Sequence, residues 1–212
     1  MKRTTIALLV LVSLGGGTAL AGPAPALRVG SKAFAESVIL GDAASLIAAA
    51  AGTPVEERRA LGGTRLCWDA LLSGALDLYP EYTGTLREEI LKDEGPSGDL
   101  ETLRATLAAR GLGFIGPLGF DNRYALAMRE AVAARLGVRA ISDLAKHPEL
   151  RVGLSNEFMR RRDGWPGLAS RYALAAERAQ GLDHELAIRG LAAGDLDVTD
   201  IYSTDAEIAR DG

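Results

Sequence analysis

Five tyrosines are the residues of this chain whose type and spacing are best suited to chemistry. Three of them close apparent strands: Tyr79 and Tyr82 in "YPEYTGT" (79–85), and Tyr202 in "DLDVTDIYS". Tyr124, in "NRYALAMR", is a fourth candidate. The proline and glycine bounding the first stretch are what a turn needs; the tyrosines are not. Each ring offers an electron-rich face, and an organic cation over it is stabilised by about 0.5–1 kcal/mol when exposed and about 2 kcal/mol or more when desolvated. A tetraalkylated nitrogen has no N–H to donate. Ring faces and shape must recognise it, and several rings around one such cation form an aromatic cage. Taken singly, each tyrosine is also what half-buried packing at a strand end would use.

Other chemistries find little support. "LGGTR" is glycine-rich but lacks the Gly-Lys-Ser/Thr of a phosphate-binding loop. No G-x-S-x-G elbow occurs. The two histidines, His147 and His184, show no metal-ligand spacing, and His184 in "GLDHEL" reads as structural or as a modest helix cap. Asp77 and Asp197 hold equivalent positions, which a paired-carboxylate hydrolase could use but twin structural roles explain better. Cys67 is the single cysteine, so there is no intrachain disulfide or cysteine metal cluster; in "TRLCWDALL" it reads as a small buried hydrophobe. The sequence thus argues against an enzyme and implies no cofactor and no metal.

The elements that position these residues alternate between strand and helix. Strands are predicted at "LRVGS" (27–31), "TPVEERRAL", "ALDLYP", "NRYALAMR", "LRVGLS" (150–155) and "DLDVTDIYS". Helices are predicted at 34–52, at "RLCWDALLSG" with Thr64 as N-cap and Gly74 as stop, at 84–94, and near 99–110, 129–136, 142–147, 167–179 and 184–193. This order predicts an α/β fold with largely parallel sheets. With 212 residues, 48% hydrophobic, 25% charged and a net charge of −4, the chain is an ordinary globular one that does not advertise nucleic-acid binding. The opening "MKRTTIALLVLVSLGGGTALAG" has a basic start, a short apolar core and Ala19-Leu20-Ala21 before Gly22. Residues 1–21 are therefore predicted to be a cleaved secretory signal, which places the mature chain outside the cytoplasm, in the periplasm or its equivalent.

An internal echo suggests two similar halves. "LRVG" occurs at 27–30 and again at 150–153, and "LLSGALDLYPEYTGT" (71–85) aligns with "LAAGDLDVTDIYSTD" (191–205). Leu71, Gly74, Leu76, Asp77 and Tyr82 match Leu191, Gly194, Leu196, Asp197 and Tyr202. Ligands of open α/β sheets bind beyond the carboxyl ends of the strands, where Tyr82 and Tyr202 are expected, one from each half.

The motifs "VGSKAFAESVILG", "LGGT", "SGALDLYPEYTGT", "GPLGFDNRYALAMR", "SNEFMRRRDGWPGL" and "GLDHELAIRGLAAGDLDVTDIYSTDAEI" resemble the extracytoplasmic substrate-binding proteins of osmoprotectant ABC importers, the glycine betaine/carnitine/choline-binding group. The resemblance runs from about residue 27 to the last residue. It implies a two-lobed periplasmic-binding-protein fold of the second type, with lobe 1 over 22–118 and the crossover segment and lobe 2 over 119–212. It also implies a quaternary ammonium ligand and an ABC permease in the membrane as partner. By the same resemblance Tyr82, Tyr124 and Tyr202 are cage residues and Thr85 a ligand contact. Asn122 stands at a position that is often polar or acidic. Lys32 and Arg161 would hold a ligand carboxylate, with Arg160 and Arg162 as adjacent alternatives to Arg161. A betaine suits this set, because arginine offers paired donors to two carboxylate oxygens and Lys32 precedes a helix start.

In the family the chain continues beyond "YSTDAEI" and returns to the first lobe. The resemblance therefore implies that the second crossover and the C-terminal part of lobe 1 are missing, with apolar surface uncovered and ligand binding weakened or absent. Two alternatives stay open: a binding or sensory module for another small solute such as an amino acid, and a non-functional remnant.

Overall fold

The computed structural model describes residues 25–93 and 99–211; the leader expected over 1–21 and the loop "GPSG" lie outside them. Strand β1 (Leu27–Gly30) leads into helix α1 (Ala35–Ala50), strand β2 (Val55–Arg58) and helix α2 (Thr64–Leu72). β1 and β2 pair in parallel, Leu27 opposite Val55 and Gly30 opposite Arg58. The expected third strand shrinks to one parallel bridge, Val29 to Leu78, with the Gly30 N–H donating to the Leu78 carbonyl at 2.8 Å. Pro80 follows two residues on, and a proline has no N–H with which to extend a ladder.

α3 (Thr83–Thr85) widens into a π-helical turn over Leu86–Ile90, where a regular helix is expected. The Leu91 N–H donates to the Leu86 carbonyl at 2.8 Å. The extra residue in the turn puts Leu86 and Leu91 on one face, and both join the buried cluster of Trp68, Leu103 and Leu107. Leu103 and Leu107 come from α4 (Leu100–Ala108), whose N-cap Asp99 accepts from the Thr102 N–H at 2.9 Å.

Beyond it lie β3 (Tyr124–Ala127), α5 (Glu130–Leu136), β4 (Val152–Ser155), α6 (Asn156–Arg160), α7 (Trp165–Tyr172), β5 (Ala179–Leu182), α8 (His184–Ala193), β6 (Thr199–Tyr202) and α9 (Ala206–Asp211). β4 and β5 pair in parallel. A lone bridge joins Val152 to Val198, the counterpart of the Val29–Leu78 bridge. β3 and β6 pair antiparallel, with Tyr124 directly opposite Tyr202. A helix expected near 167–179 instead ends at Tyr172, Ala173 takes a left-handed φ of 53°, and 179–182 becomes β5. "AQGL" has little intrinsic strand preference; pairing with β4 decides its state.

The echoed segments fold alike. The Arg28 N–H and guanidinium both donate to the Asp77 carboxylate, and Arg151 does the same to Asp197. Asp77 and Asp197 therefore do hold twin structural roles. Gly30 lies so close to Leu76 that a Cβ would meet its Cδ1 at 2.4 Å, and at Gly153 the distance to Leu196 Cδ1 would be 2.6 Å. Gly74 and Gly194 both take positive φ, 71° and 85°, and end α2 and α8. Cys67 is fully buried in the helix, as expected, and burial pushes its thiol up to about 11. Among the described residues, no helix is long and apolar enough to cross a membrane.

Candidate functional site

Four rings form a continuous chain. Tyr82, just past the Leu78 bridge, lies 6.0 Å from Phe34 between centroids; Phe34 lies 5.1 Å from Tyr202, and Tyr202 5.2 Å from Tyr124. Phe34 is the N-cap of α1 and Tyr82 that of α3, while Tyr124 and Tyr202 are paired by the β3–β6 register. The three expected cage tyrosines are thus brought together, with Phe34 linking them. Tyr79 goes elsewhere, into the core beside Cys67 and Leu76. Tyr124 continues onto Phe158 at 4.8 Å, and His184 stacks on Tyr202 at 4.3 Å. Burial raises the phenol of Tyr82, and its hydrogen bond to Glu36 adds to the rise; burial does the same at Tyr124 and Tyr202. All three rings stay neutral at physiological pH.

Each expected polar contact is also beside these rings, and each has a partner within the protein. Lys32 Nζ donates to Glu81 Oε1 at 2.6 Å and to Thr64 Oγ1 at 3.0 Å, 5.4 Å from the Tyr82 ring centroid. The Lys32 and Glu81 side chains are only 3% and 8% exposed. Glu81 also accepts from the Tyr82 N–H and the Tyr79 hydroxyl. Arg161 makes two parallel bonds to Asp163, at 3.0 and 2.7 Å, donates to Thr85 Oγ1 at 3.0 Å, and sits 5.5 Å from the Tyr124 centroid. Burial is the largest single influence and pulls its guanidinium pKa down, but the bonds to Asp163 and the attraction of Asp163, Tyr124 and Glu157 together outweigh it, and the net shift is upward. Of the three neighbouring arginines only Arg161 is buried; Arg160 is exposed, and Arg162 reaches Glu88 at 3.3 Å on the surface. Asn122 Nδ2 donates at 2.8 Å to Glu36 Oε1, which also accepts from the Tyr82 hydroxyl.

Thr64 corrects an expectation. The N-cap of α2 is Gly63, and the Thr64 hydroxyl donates to Glu157 Oε1 at 2.5 Å while accepting from Lys32. His184 likewise is not the cap of α8. Asp183 is, and His184 Nε2 pairs with Asp205 at 2.9 Å while its Nδ1 faces the buried Asp200 at 4.0 Å. Desolvation lowers the His184 pKa, but Asp205, Asp200 and Asp183 together raise it. Burial raises the Asp200 carboxyl, against hydrogen bonds from the Ser155 N–H and hydroxyl. Sequence reasoning missed Phe34, Glu36, Thr64, Glu81, Glu157 and Asp163. The signal available for Phe34 was its place two residues after Lys32 in "GSKAF"; the carboxylates had none beyond proximity in the same short motifs.

Contacts cross between the segment up to residue 93 and the segment after 119 at several points around the rings: Thr64 to Glu157, Arg161 to Thr85, Asn122 to Glu36, and Arg162 to Glu88. The rings and their polar surround thus lie where two α/β units meet. Residues 25–212 match the family described as the substrate binding domain of ABC-type glycine betaine transport systems, and the chain belongs to that family.

Among curated relatives, the glycine betaine-binding protein YehZ of Escherichia coli is 28% identical over 184 residues, 82% of this chain and 58% of the relative. The carnitine transport binding protein OpuCC of Listeria monocytogenes is 30% identical over 192 residues, 86% and 62%. The ergothioneine transport permease/ergothioneine binding protein EgtU of Helicobacter pylori is 31% identical over 186 residues, 86% and 34%. The chain therefore spans from about a third to about three fifths of these relatives' length. Its fold is that of periplasmic binding proteins. The solved structure of apo YehZ from Escherichia coli superposes with a TM-score of 0.56 at 26% identity, covering 89% of this chain and 73% of that one. A glycine betaine/carnitine/choline ABC transporter structure gives 0.58 at 25% identity, covering 87% and 71%.

Proposed function

We propose that this chain is the extracytoplasmic solute-capturing part of an ABC importer for quaternary ammonium osmoprotectants, the class to which glycine betaine, carnitine and choline belong. Residues 22–118 and 119–212 are its two lobes, residues 1–21 its export signal, and a membrane permease its partner. The reading rests above all on one observation: the ring chain Tyr82–Phe34–Tyr202–Tyr124 is assembled from both ends of the chain at the junction of two α/β units. Ring faces are what a cation without N–H groups requires. Lys32 and Arg161 already sit near two of these rings, in keeping with faces suited to positive charge. In this reading Lys32, Thr85, Asn122 and Arg161 border the polar end of the ligand.

The ring centroids stand only 5–6 Å apart, so the rings touch. A cation can enter between them only if the contacts crossing between the units part and re-form, as in a hinged capture. The test is calorimetric titration of the purified mature chain with tetramethylammonium, choline and glycine betaine, alongside neutral amino acids. The expected result is saturable binding of quaternary ammonium compounds, lost by roughly 30-fold in Tyr202→Ala, the equivalent of about 2 kcal/mol for one desolvated ring contact. Binding of an amino acid in preference, unaffected by Tyr202→Ala, would turn the assignment to another solute.

A further inference from the structure

The charges around the rings narrow the ligand further, on the reading of the site as a quaternary ammonium site. Apart from the His184, Asp200 and Asp205 group against Tyr202, two cations, Lys32 and Arg161, stand against four carboxylates, Glu36, Glu81, Glu157 and Asp163. Each cation already has its charge met by a protein carboxylate. Lys32 is held by Glu81 in a nearly solvent-free pair, and Asp163 takes the paired face of the Arg161 guanidinium. Each cation keeps N–H groups beyond these bonds, but a zwitterionic ligand would have to share a charge that a protein carboxylate already neutralises, or displace that carboxylate. For Lys32–Glu81, which is buried on both sides, breaking one partner out of the pair is far costlier than the pair is worth; Asp163 is exposed, so the same cost does not apply at Arg161. The ligand carboxylate would also meet Glu36 and Glu157, which make hydrogen bonds but no direct ion pair among the described residues, Glu157 standing within electrostatic reach of Arg161.

The vacant hydrogen-bonding capacity has the opposite polarity. Asn122 Oδ1 is buried with no partner, while its Nδ2 is committed to Glu36, so the free atom is an acceptor. Glu36 in turn fixes the Tyr82 hydroxyl, so this acceptor lies beside the ring chain. A buried acceptor left unpaired is costly, and a ligand bringing a donor to it recovers that cost. Among the described residues His184 Nδ1 is also unpartnered near the rings, and it faces Asp200 at 4.0 Å.

We infer that the site selects a quaternary ammonium ligand that is net cationic and carries a hydroxyl-type donor, as choline does, over one that ends in a free carboxylate, as glycine betaine does. Glu81 sets this preference by occupying Lys32, and Asn122 reads the donor. The experiment is competitive titration of the mature chain with choline, glycine betaine and tetramethylammonium under one set of conditions. Choline is expected to bind at least tenfold tighter than glycine betaine. Asn122→Leu should remove the advantage of choline over tetramethylammonium, and Glu81→Gln should narrow or reverse the choline-to-betaine ratio by freeing Lys32. Glycine betaine binding as tightly as choline, or more so, in the unmutated chain overturns the inference while leaving the quaternary ammonium site standing. Failure of all three compounds to bind overturns both. The ratio in the unmutated protein decides the matter even if Glu81→Gln does not fold.

Discussion

Lys32 is buried, yet each of its contacts is accounted for: Glu81 for charge, Thr64 for a hydrogen bond and the Tyr82 ring for a face. His184 is bound as closely, by Asp205 at one nitrogen, the Tyr202 ring on one face, and Asp200 and Asp183 nearby. Its folded pKa lies above the ordinary histidine value, so the stability it adds is fully present below about pH 6.5 and is lost as the pH rises through the raised value. Thermal unfolding of the unmutated chain should therefore lose more stability between pH 5.5 and 8.5 than that of His184→Gln. An equal loss in both would mean that the imidazole carries no such linkage. "GLDHEL" gave no hint of this, because Asp205 and Tyr202 arrive from a strand end some twenty positions further on.

The helix–strand closures are the best-resolved elements of the echo. Gly30 and Gly153 let buried Leu76 and Leu196 lie directly on their strands. In Gly153→Ala the new Cβ would stand 2.6–3.0 Å from Leu196 and Leu182 side-chain carbons. Overpacking of this kind costs roughly 1–3 kcal/mol. A fall in melting temperature of roughly 3–10 °C follows for a chain of this size, measured by circular dichroism. An unchanged melting temperature would show that the two leucines repack freely. Apolar periodicity and glycine stops located α1, α2, α5 and α8. The same reading missed β5 and α6, which are short and depend on β4 for partners. It also took 84–94 for a regular helix, because nothing local announces that Leu86 and Leu91 must both reach Trp68.

At the scale of the whole molecule, the junction between the units is polar. Thr64 is its most connected hydroxyl, linking Lys32 on one side to Glu157 on the other. Thr64→Val keeps shape while removing both bonds. Hydrogen bonds to charged groups are worth about 1.5–3 kcal/mol, so ligand affinity should weaken by roughly ten- to a hundredfold. On the proposed hinged capture the lost bonds hold the closed arrangement, so the change should fall mostly on the dissociation rate, resolved by stopped-flow displacement. A slower association with unchanged dissociation would place Thr64 outside the closing contacts. α1 meanwhile presents Ile39, Leu46 and Ile47 to solvent as an apolar stripe, and Ile115, Leu118 and Phe120 are exposed as well.

The sequence alone determined the alternation of strand and helix, the internal echo, the twin roles of Asp77 and Asp197, and the tyrosines at strand ends. Each is written in local patterning, where side-chain period, glycine stops and repeated spacing act over a few residues. Only the tertiary structure decided that Phe34 joins the rings, that Glu81 and Asp163 take up the charges of Lys32 and Arg161, and that Thr64 bridges two units instead of capping a helix. These are pairings between residues from 48 to 168 positions apart, or between neighbours whose side chains turn inward only once the units meet. Charge balance inside a closed site depends on which groups are brought together, and chain folding settles that through space rather than along the sequence.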